Sequence, residues 1–267
     1  MVTLTELLAD LDAEYDDLRA VVEDLADDAP EWDLITPAEG WAVRDQISHL
    51  AFFDEAGRLA MVDPEAFAQL VDEVVVAAGD PMDVHLVPGR AMGGDELLEW
   101  WGTAHRAMVE AFSVADPKTR VPWFGPPMGA LSFISARLME TWAHGQDVCD
   151  ALGAERVATA RLFHIAHLGV RARPFSYAVR DRAVPTGRIH VAVTGPDGDA
   201  WVWEIGEDED GEPIGTVTGT ALDFCLAVTQ RRNIADTDLV VTGPLAEDWM
   251  SIAQAFAGPP GPGRPRT

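Results

Sequence analysis

The sequence predicts an α+β chain in several parts: an all-helical bundle-type domain over residues 1–186, a small α+β domain over 187–257, and a disordered tail over 258–267. Three observations carry this. Apolar residues recur at helical spacing through the first two thirds of the chain, the period shortens to two beyond Gly187, and the end, GPPGPGRPRT, holds too much proline and glycine for regular structure. With 267 residues, 48% of them apolar, the chain can build real cores.

Leu4, Leu7, Leu8, Leu11, Tyr15, Leu18, Val21, Val22 and Leu25 follow the rhythm of an amphipathic helix over residues 4–26. After a Pro/Gly-bearing connection from Asp33 to Trp41, a second helix is expected from Val43 to Met61. A third runs from Pro64 to Ala78, with Asp63 as N-cap and proline at the first helical position. Gly79 to Gly94 reads as a long loop. A fourth helix spans Asp95 to Val114, a proline-rich loop with Trp123 and Phe124 covers Asp116 to Pro127, and a fifth helix runs from Met128 to Leu152, stopped by Gly153. Ala158 to Val184 is helical again, kinked or divided by Pro174. IHVAV, WVWEI and IGTVTG then alternate with the turn signals PDGD and EDEDGEP, which predicts an antiparallel meander. A helix over Thr220 to Gln230, a strand at 239–243 and a helix from Leu245 to Phe256 complete the small domain.

The formal charge is −26, from 19 Lys+Arg against 45 Asp+Glu. A field this negative disfavours nucleic acid and anionic membranes as partners. No run of about 18 uncharged apolar residues is present, and the N-terminus has acids where a signal peptide needs bases, so a soluble, cytoplasmic protein is expected. The charge is uneven: seven arginines and one acid, Asp181, lie between residues 156 and 190. Such a segment either meets an anion or is neutralised by acidic neighbours. Cys149 and Cys225 sit in apolar helical patterns and read as small core residues.

Chemistry concentrates in ALSFISARLMETWAHGQDVCDALG, whose apolar residues cover most of a helix and place it deep in the domain. Within it Glu140 and His144 are one turn apart on one face, about 5 to 6 Å at Cβ. Among apolar neighbours they need a partner; they could satisfy each other or both bind a metal. The second helix, WAVRDQISHLAFFDEAG, brings His49 inward beside Leu50, Phe52 and Phe53, either as a core residue bonded to Asp45 or as a ligand. Two imidazoles and a carboxylate from facing helices supply the His₂Glu set of catalytic zinc.

The pair W-x-V-R-D-x-x-x-H-L (Trp41 to Leu50) and E-x-x-x-H-x-x-D (Glu140, His144, Asp147) resembles the DinB-like superfamily, and within it the mycothiol-dependent maleylpyruvate isomerase group. Members of that group add a small domain similar to the sterol-carrier fold after the helices, so the resemblance covers nearly the whole chain. It implies that His49, Glu140 and His144 bind a divalent metal, zinc or another, and that mycothiol is the thiol cosubstrate. It also implies a catalytic arginine closing a helix that ends in Gly-Arg. Gln230-Arg231-Arg232 stands at that place, which makes Arg231 the match, without the glycine.

Zinc with three protein ligands leaves a position where a thiol is held as thiolate, ready to add to a small electrophilic substrate. Asp45 and Asp147 are candidate acceptors for the ligands' other ring nitrogens. Arg231 would bind a substrate carboxylate or form an inter-domain salt bridge, and Arg90 is a second possible anion clamp. His85 is expected in a loop, His105 on the fourth helix, and His164 and His167 together on the sixth; none has an accompanying carboxylate at ligand spacing. Trp100, Trp101, Trp123 and Trp142 line a pocket or belong to the core. The expected function is a metal-dependent, thiol-dependent transferase or isomerase acting as a monomer or homodimer on a small molecule. The competing reading is a non-catalytic metal-binding or lipid-binding protein of the same superfamily.

Overall fold

A computed structural model describes residues 2–76, 83–206 and 212–266. The chain folds into two compact units, Met1–Arg156 and Val157–Thr267.

In the first unit four long helices form the bundle: α1 (Leu4–Val22), α2 (Val43–Val62), α5 (Gly94–Ser113) and α6 (Ala130–Leu152), with α3 (Pro64–Val76) and α4 (Asp83–Ala91) between α2 and α5. Thr3 and Glu6 close a reciprocal capping box at the start of α1, and Asp63 accepts the Ala66 N–H at the start of α3. Gly153 ends α6 in the left-handed conformation at φ +66°, as its sequence position predicts. Helix α2 packs against α5, α4 and α6, and α1 against α6. The core between them holds Leu18, Trp32, Ile47, Leu50, Trp101 and Val148. A two-residue hairpin, β1 (Arg120–Val121) with β2 (Met128–Gly129), braces the proline-rich loop.

The second unit begins with α7 (Leu162–Arg171) and α8 (Arg173–Ala178), separated at Ala172 just before Pro174. Strands β3 (Ile189–Thr194), β4 (Ala200–Ile205), β5 (Gly215–Thr220) and β6 (Val240–Thr242) form one sheet, with α9 (Ala221–Val228) and α10 (Pro244–Met250). Ile189, Val191, Val193 and Val217 turn one face of the sheet into the core, where Phe224, Cys225 and Val228 of α9 are fully buried.

Several expectations are corrected. The division falls at 156/157 rather than near 186, because Leu162, Ile165, Ala166 and Val170 of α7 are buried in the second unit, where α7 packs on α9. A Cβ at Gly169 would come within 2.7 Å of Val228, so glycine there lets the two helices approach closely. The sheet is mixed, not an antiparallel meander: its order is β4-β3-β5-β6 and β3 pairs with β5 in parallel. The end of β4 at Ile205 and the start of β5 at Gly215 both pair with Ile189. Its turn signal at 207–211 lies outside the described residues. The expected loop from Gly79 to Gly94 contains α4, with 79–82 outside the described residues. The last helix ends at Met250 rather than Phe256. The tail carries no helix or strand among its described residues, yet it is tied down: Asn233 donates to the Arg264 carbonyl at 2.8 Å and Gln254 to that of Gly258 at 3.0 Å.

Candidate metal centre

Helices α2 and α6 turn three donors onto one point. His49, Glu140 and His144 each offer a ligand atom, and these atoms lie within 4.8 Å of one another. His144 Nε2 is 3.1 Å and His49 Nε2 is 3.9 Å from Glu140 Oε2. All three side chains are largely buried, on helices fixed by the apolar core around Ile47, Leu50 and Val148.

The tautomer of His144 decides what this point can hold. Gln46 Oε1 lies 2.5 Å from His144 Nδ1, and a carbonyl oxygen only accepts, so Nδ1 carries the proton. The amide is oriented in turn, because Gln46 Nε2 donates to Thr36 Oγ1 at 2.8 Å and that hydroxyl donates to the Trp41 carbonyl at 2.9 Å. The other ring nitrogen, Nε2, faces the Glu140 carboxylate at 3.1 Å, a contact that either a second ring proton or a cation closes. His49 does not supply the charge: burial, with His144 next to it, holds its pKa well below the ordinary value despite Glu140. The donor set, two imidazoles and one carboxylate, fits a divalent cation.

Aromatic rings wall this point. Trp41 stacks on His144 at 5.6 Å and tilts against His49 at 5.1 Å. Phe53 touches His49 at 4.6 Å and continues through Trp123 and Phe124 to Phe67. Of the four tryptophans named from sequence, Trp123 joins this wall through Phe53, whereas Trp101 is fully buried in the core and Trp142 is buried under the Arg156 guanidinium.

Asp45 does not serve His49. Its carboxylate accepts the Ala42 N–H at 2.9 Å and both guanidinium arms of Arg90 at 2.7 and 3.0 Å, which also means that Arg90 is engaged by a carboxylate rather than open to a ligand. Asp147 is fully buried, and it is Gln46, not Asp147, that accepts from His144 Nδ1. His85 lies on α4, not in a loop: it is buried, and its ring meets those of Trp41, His49, Phe52 and Phe53. His105 bridges carboxylates, at 2.8 Å from Asp12 and 3.7 Å from Asp54. In the second unit His167 accepts from the Trp203 indole at 3.1 Å. Arg231 follows α9 there, donating to the Thr229 carbonyl at 2.9 Å. Gln230 before it has φ +59°, the left-handed conformation that glycine adopts without strain. Gln46, Trp41 and His85 are the site neighbours that reasoning from spacing misses. Gln46 is findable, being three residues before His49 on the same helical face.

The class defined by the fold and the site is a helical bundle that converges two imidazoles and a carboxylate from α2 and α6, followed by a small mixed-sheet unit. The chain belongs to the mycothiol maleylpyruvate isomerase N-terminal domain family, whose profile matches residues 5–149. In two strains of Mycobacterium tuberculosis, an uncharacterized protein is 44% identical over 258 residues, covering 96% of this chain and 97% of that one. Crystal structures of the mycothiol-dependent maleylpyruvate isomerase, and of a histidine-to-alanine mutant of it, match with a TM-score of 0.58 at 14 and 15% identity, over 90% of this chain and 93% of theirs. They show that the fold is shared through both units.

Proposed function

We propose that the protein is a divalent-metal enzyme, with zinc as the fitting ion, that uses mycothiol or a similar low-molecular-weight thiol for transfer or isomerisation on a small electrophilic substrate. The observation that carries this is the convergence of His49, Glu140 and His144, whose ligand atoms lie within 4.8 Å of one another, in a chain whose structural relatives are named for dependence on mycothiol. A bound zinc ion would hold a thiol as thiolate near neutral pH.

The chain's own residues do the rest. His49, Glu140 and His144 hold the ion, Gln46 fixes the His144 ring, and Trp41 and Phe53 keep water from the reacting sulfur. The nucleophile comes from outside, because burial raises the thiol pKa of both Cys149 and Cys225, away from thiolate. Arg231, in the second unit, binds a carboxylate of the substrate, the role that the resemblance implies. Acidic surface dominates the chain, which suits a small-molecule partner rather than nucleic acid or a membrane, and no helix among the described residues is long and apolar enough to cross a bilayer. A cytoplasmic monomer or homodimer is the working state.

The test is an assay of thiol consumption and substrate isomerisation with mycothiol, glutathione, bacillithiol and coenzyme A, on protein purified without a histidine tag. Turnover that needs both metal and one of these thiols, and that fails in Arg231→Ala with the metal still bound, is the expected result. Full metal occupancy with no thiol chemistry across maleylpyruvate and other electrophiles would instead favour the non-catalytic binding protein.

A further inference from the structure

A histidine that ligates a metal through one ring nitrogen must carry its proton on the other, and that N–H is almost always held by an acceptor that fixes the ring. The two ligand imidazoles differ in this respect. His144 has its acceptor in Gln46. His49 Nδ1 is buried and has no hydrogen-bond partner among the described residues. A buried N–H left so costs about 1 to 3 kcal/mol, so a partner for it is expected once metal binds.

Few candidates surround it. The rings against His49 are those of Trp41, Phe53, His144 and His85. The phenyl ring has no acceptor and the indole nitrogen only donates. His144 commits Nδ1 to Gln46 and turns Nε2 to Glu140. Asp45, one helical turn away, is bound by Arg90 and the Ala42 N–H. His85 remains, its ring edge-on to His49 at 75° with centroids 4.9 Å apart.

The placement of His85 is built in. Ser48, next to His49, donates through Oγ to the His85 carbonyl at 2.6 Å. A Cβ at Gly89 would come within 2.4 Å of the Ser48 side chain, so glycine is what lets α4 lie this close to α2. Leu86, beside His85, is buried in the same contact.

We propose that His85 is the positioning residue for His49: a ring nitrogen of His85 accepts the Nδ1–H of His49 when a metal occupies Nε2. The proposal rests on the metal-binding reading above, and it deepens that reading by giving the second ligand histidine its orienting partner on a third helix.

The test uses the full chain loaded with Zn²⁺ or Co²⁺. Zinc affinity is measured by chelator competition for wild type, His85→Ala, His85→Gln and His85→Asn, alongside the visible spectrum of the Co²⁺ forms. The expected result is a loss of about 10- to 100-fold in His85→Ala with one ion still bound, and recovery of most of it in Gln or Asn, whose side-chain oxygens replace an imidazole acceptor. In ¹⁵N-labelled zinc protein the slowly exchanging His49 Nδ1–H resonance should show coupling to a second imidazole nitrogen, and that coupling should vanish in His85→Gln. Affinity in folded His85→Ala within twofold of wild type overturns the proposal, as does a His49 N–H with no coupled nitrogen. A Co²⁺ spectrum showing one ligand fewer in His85→Ala makes His85 a ligand and overturns the orienting role. A wild type that takes up no zinc overturns the metal reading and this proposal together, which separates the two failures.

Discussion

Two buried clusters of imidazole and carboxylate lie in the same bundle and answer the same desolvation problem in opposite ways. Around His105, Asp12 and Asp54 accept from the ring, and Asp54 also accepts from two guanidinium nitrogens of Arg137 at 2.8 and 3.0 Å. Burial opposes charge on His105, but the two carboxylates outweigh it and push its pKa to about 8. That cluster supplies its own cations. Around His49 the result is reversed: burial and a second imidazole drive the proton off despite the Glu140 carboxylate, and three ligand atoms are left within 4.8 Å of one another. The lesson is that a buried His-carboxylate pair reads as structural when its charges close internally, and as a binding site when they close only with something added.

The comparison can be broken from either side. The largest effect on stability should come from Arg137→Met, which leaves Asp54 buried without its guanidinium. Removal of one partner of a buried pair costs about 3 to 5 kcal/mol, read as a lowered urea midpoint with an unchanged slope. In the metal-free protein the same measurement on Glu140→Gln should show a far smaller loss or a gain, since Glu140 is less buried than Asp54 and an amide can still meet His144 Nε2. A Glu140→Gln chain as unstable as Arg137→Met would mean that the two clusters are alike.

Gln46→Leu is next. Without its acceptor the Nδ1–H of His144 is buried and unpaired, and metal affinity should fall about 10- to 100-fold while stoichiometry at saturating zinc stays at one. Chelator competition reads this, and an unchanged affinity would remove Gln46 from the site.

The third effect concerns pH. The folded pKa of His105, about 8, lies above its ordinary value of 6.5, so its contribution to stability is fully present below 6.5 and is lost as pH rises through 8. Its size is about 2 kcal/mol, from 1.36 kcal/mol per pH unit. Denaturation across this range should show the decline in wild type and not in His105→Gln. A wild type whose stability is flat between these pH values contradicts the assignment of His105 to the charge-closed cluster.

Much of this contrast is legible in the sequence. Helices α2 and α6 announce themselves by period, and Glu140 with His144 falls on one face by spacing alone. What spacing cannot carry is which neighbour closes the charge. Asp45 stands one turn before His49 and reads as its acceptor, yet its first claim is the Ala42 N–H at its own helix start, and its second is Arg90. Helix α4 is hidden because Pro88 and Gly89 read as breakers. Gly89 is there for close packing on Ser48, a reason that exists only once α2 is in place. The parallel pairing of β3 with β5 is equally hidden, since alternation along a strand says which face is buried and nothing about its partner.

The central claim is that the His49, Glu140 and His144 cluster is completed by a cation from outside. Metal analysis of the untagged wild type and of His144→Ala, both checked for intact helical structure by circular dichroism, tests it most directly. The account predicts one divalent ion per wild-type chain and none in the folded variant. An ion-free wild type after exposure to zinc, or full retention of the ion in His144→Ala, would contradict it.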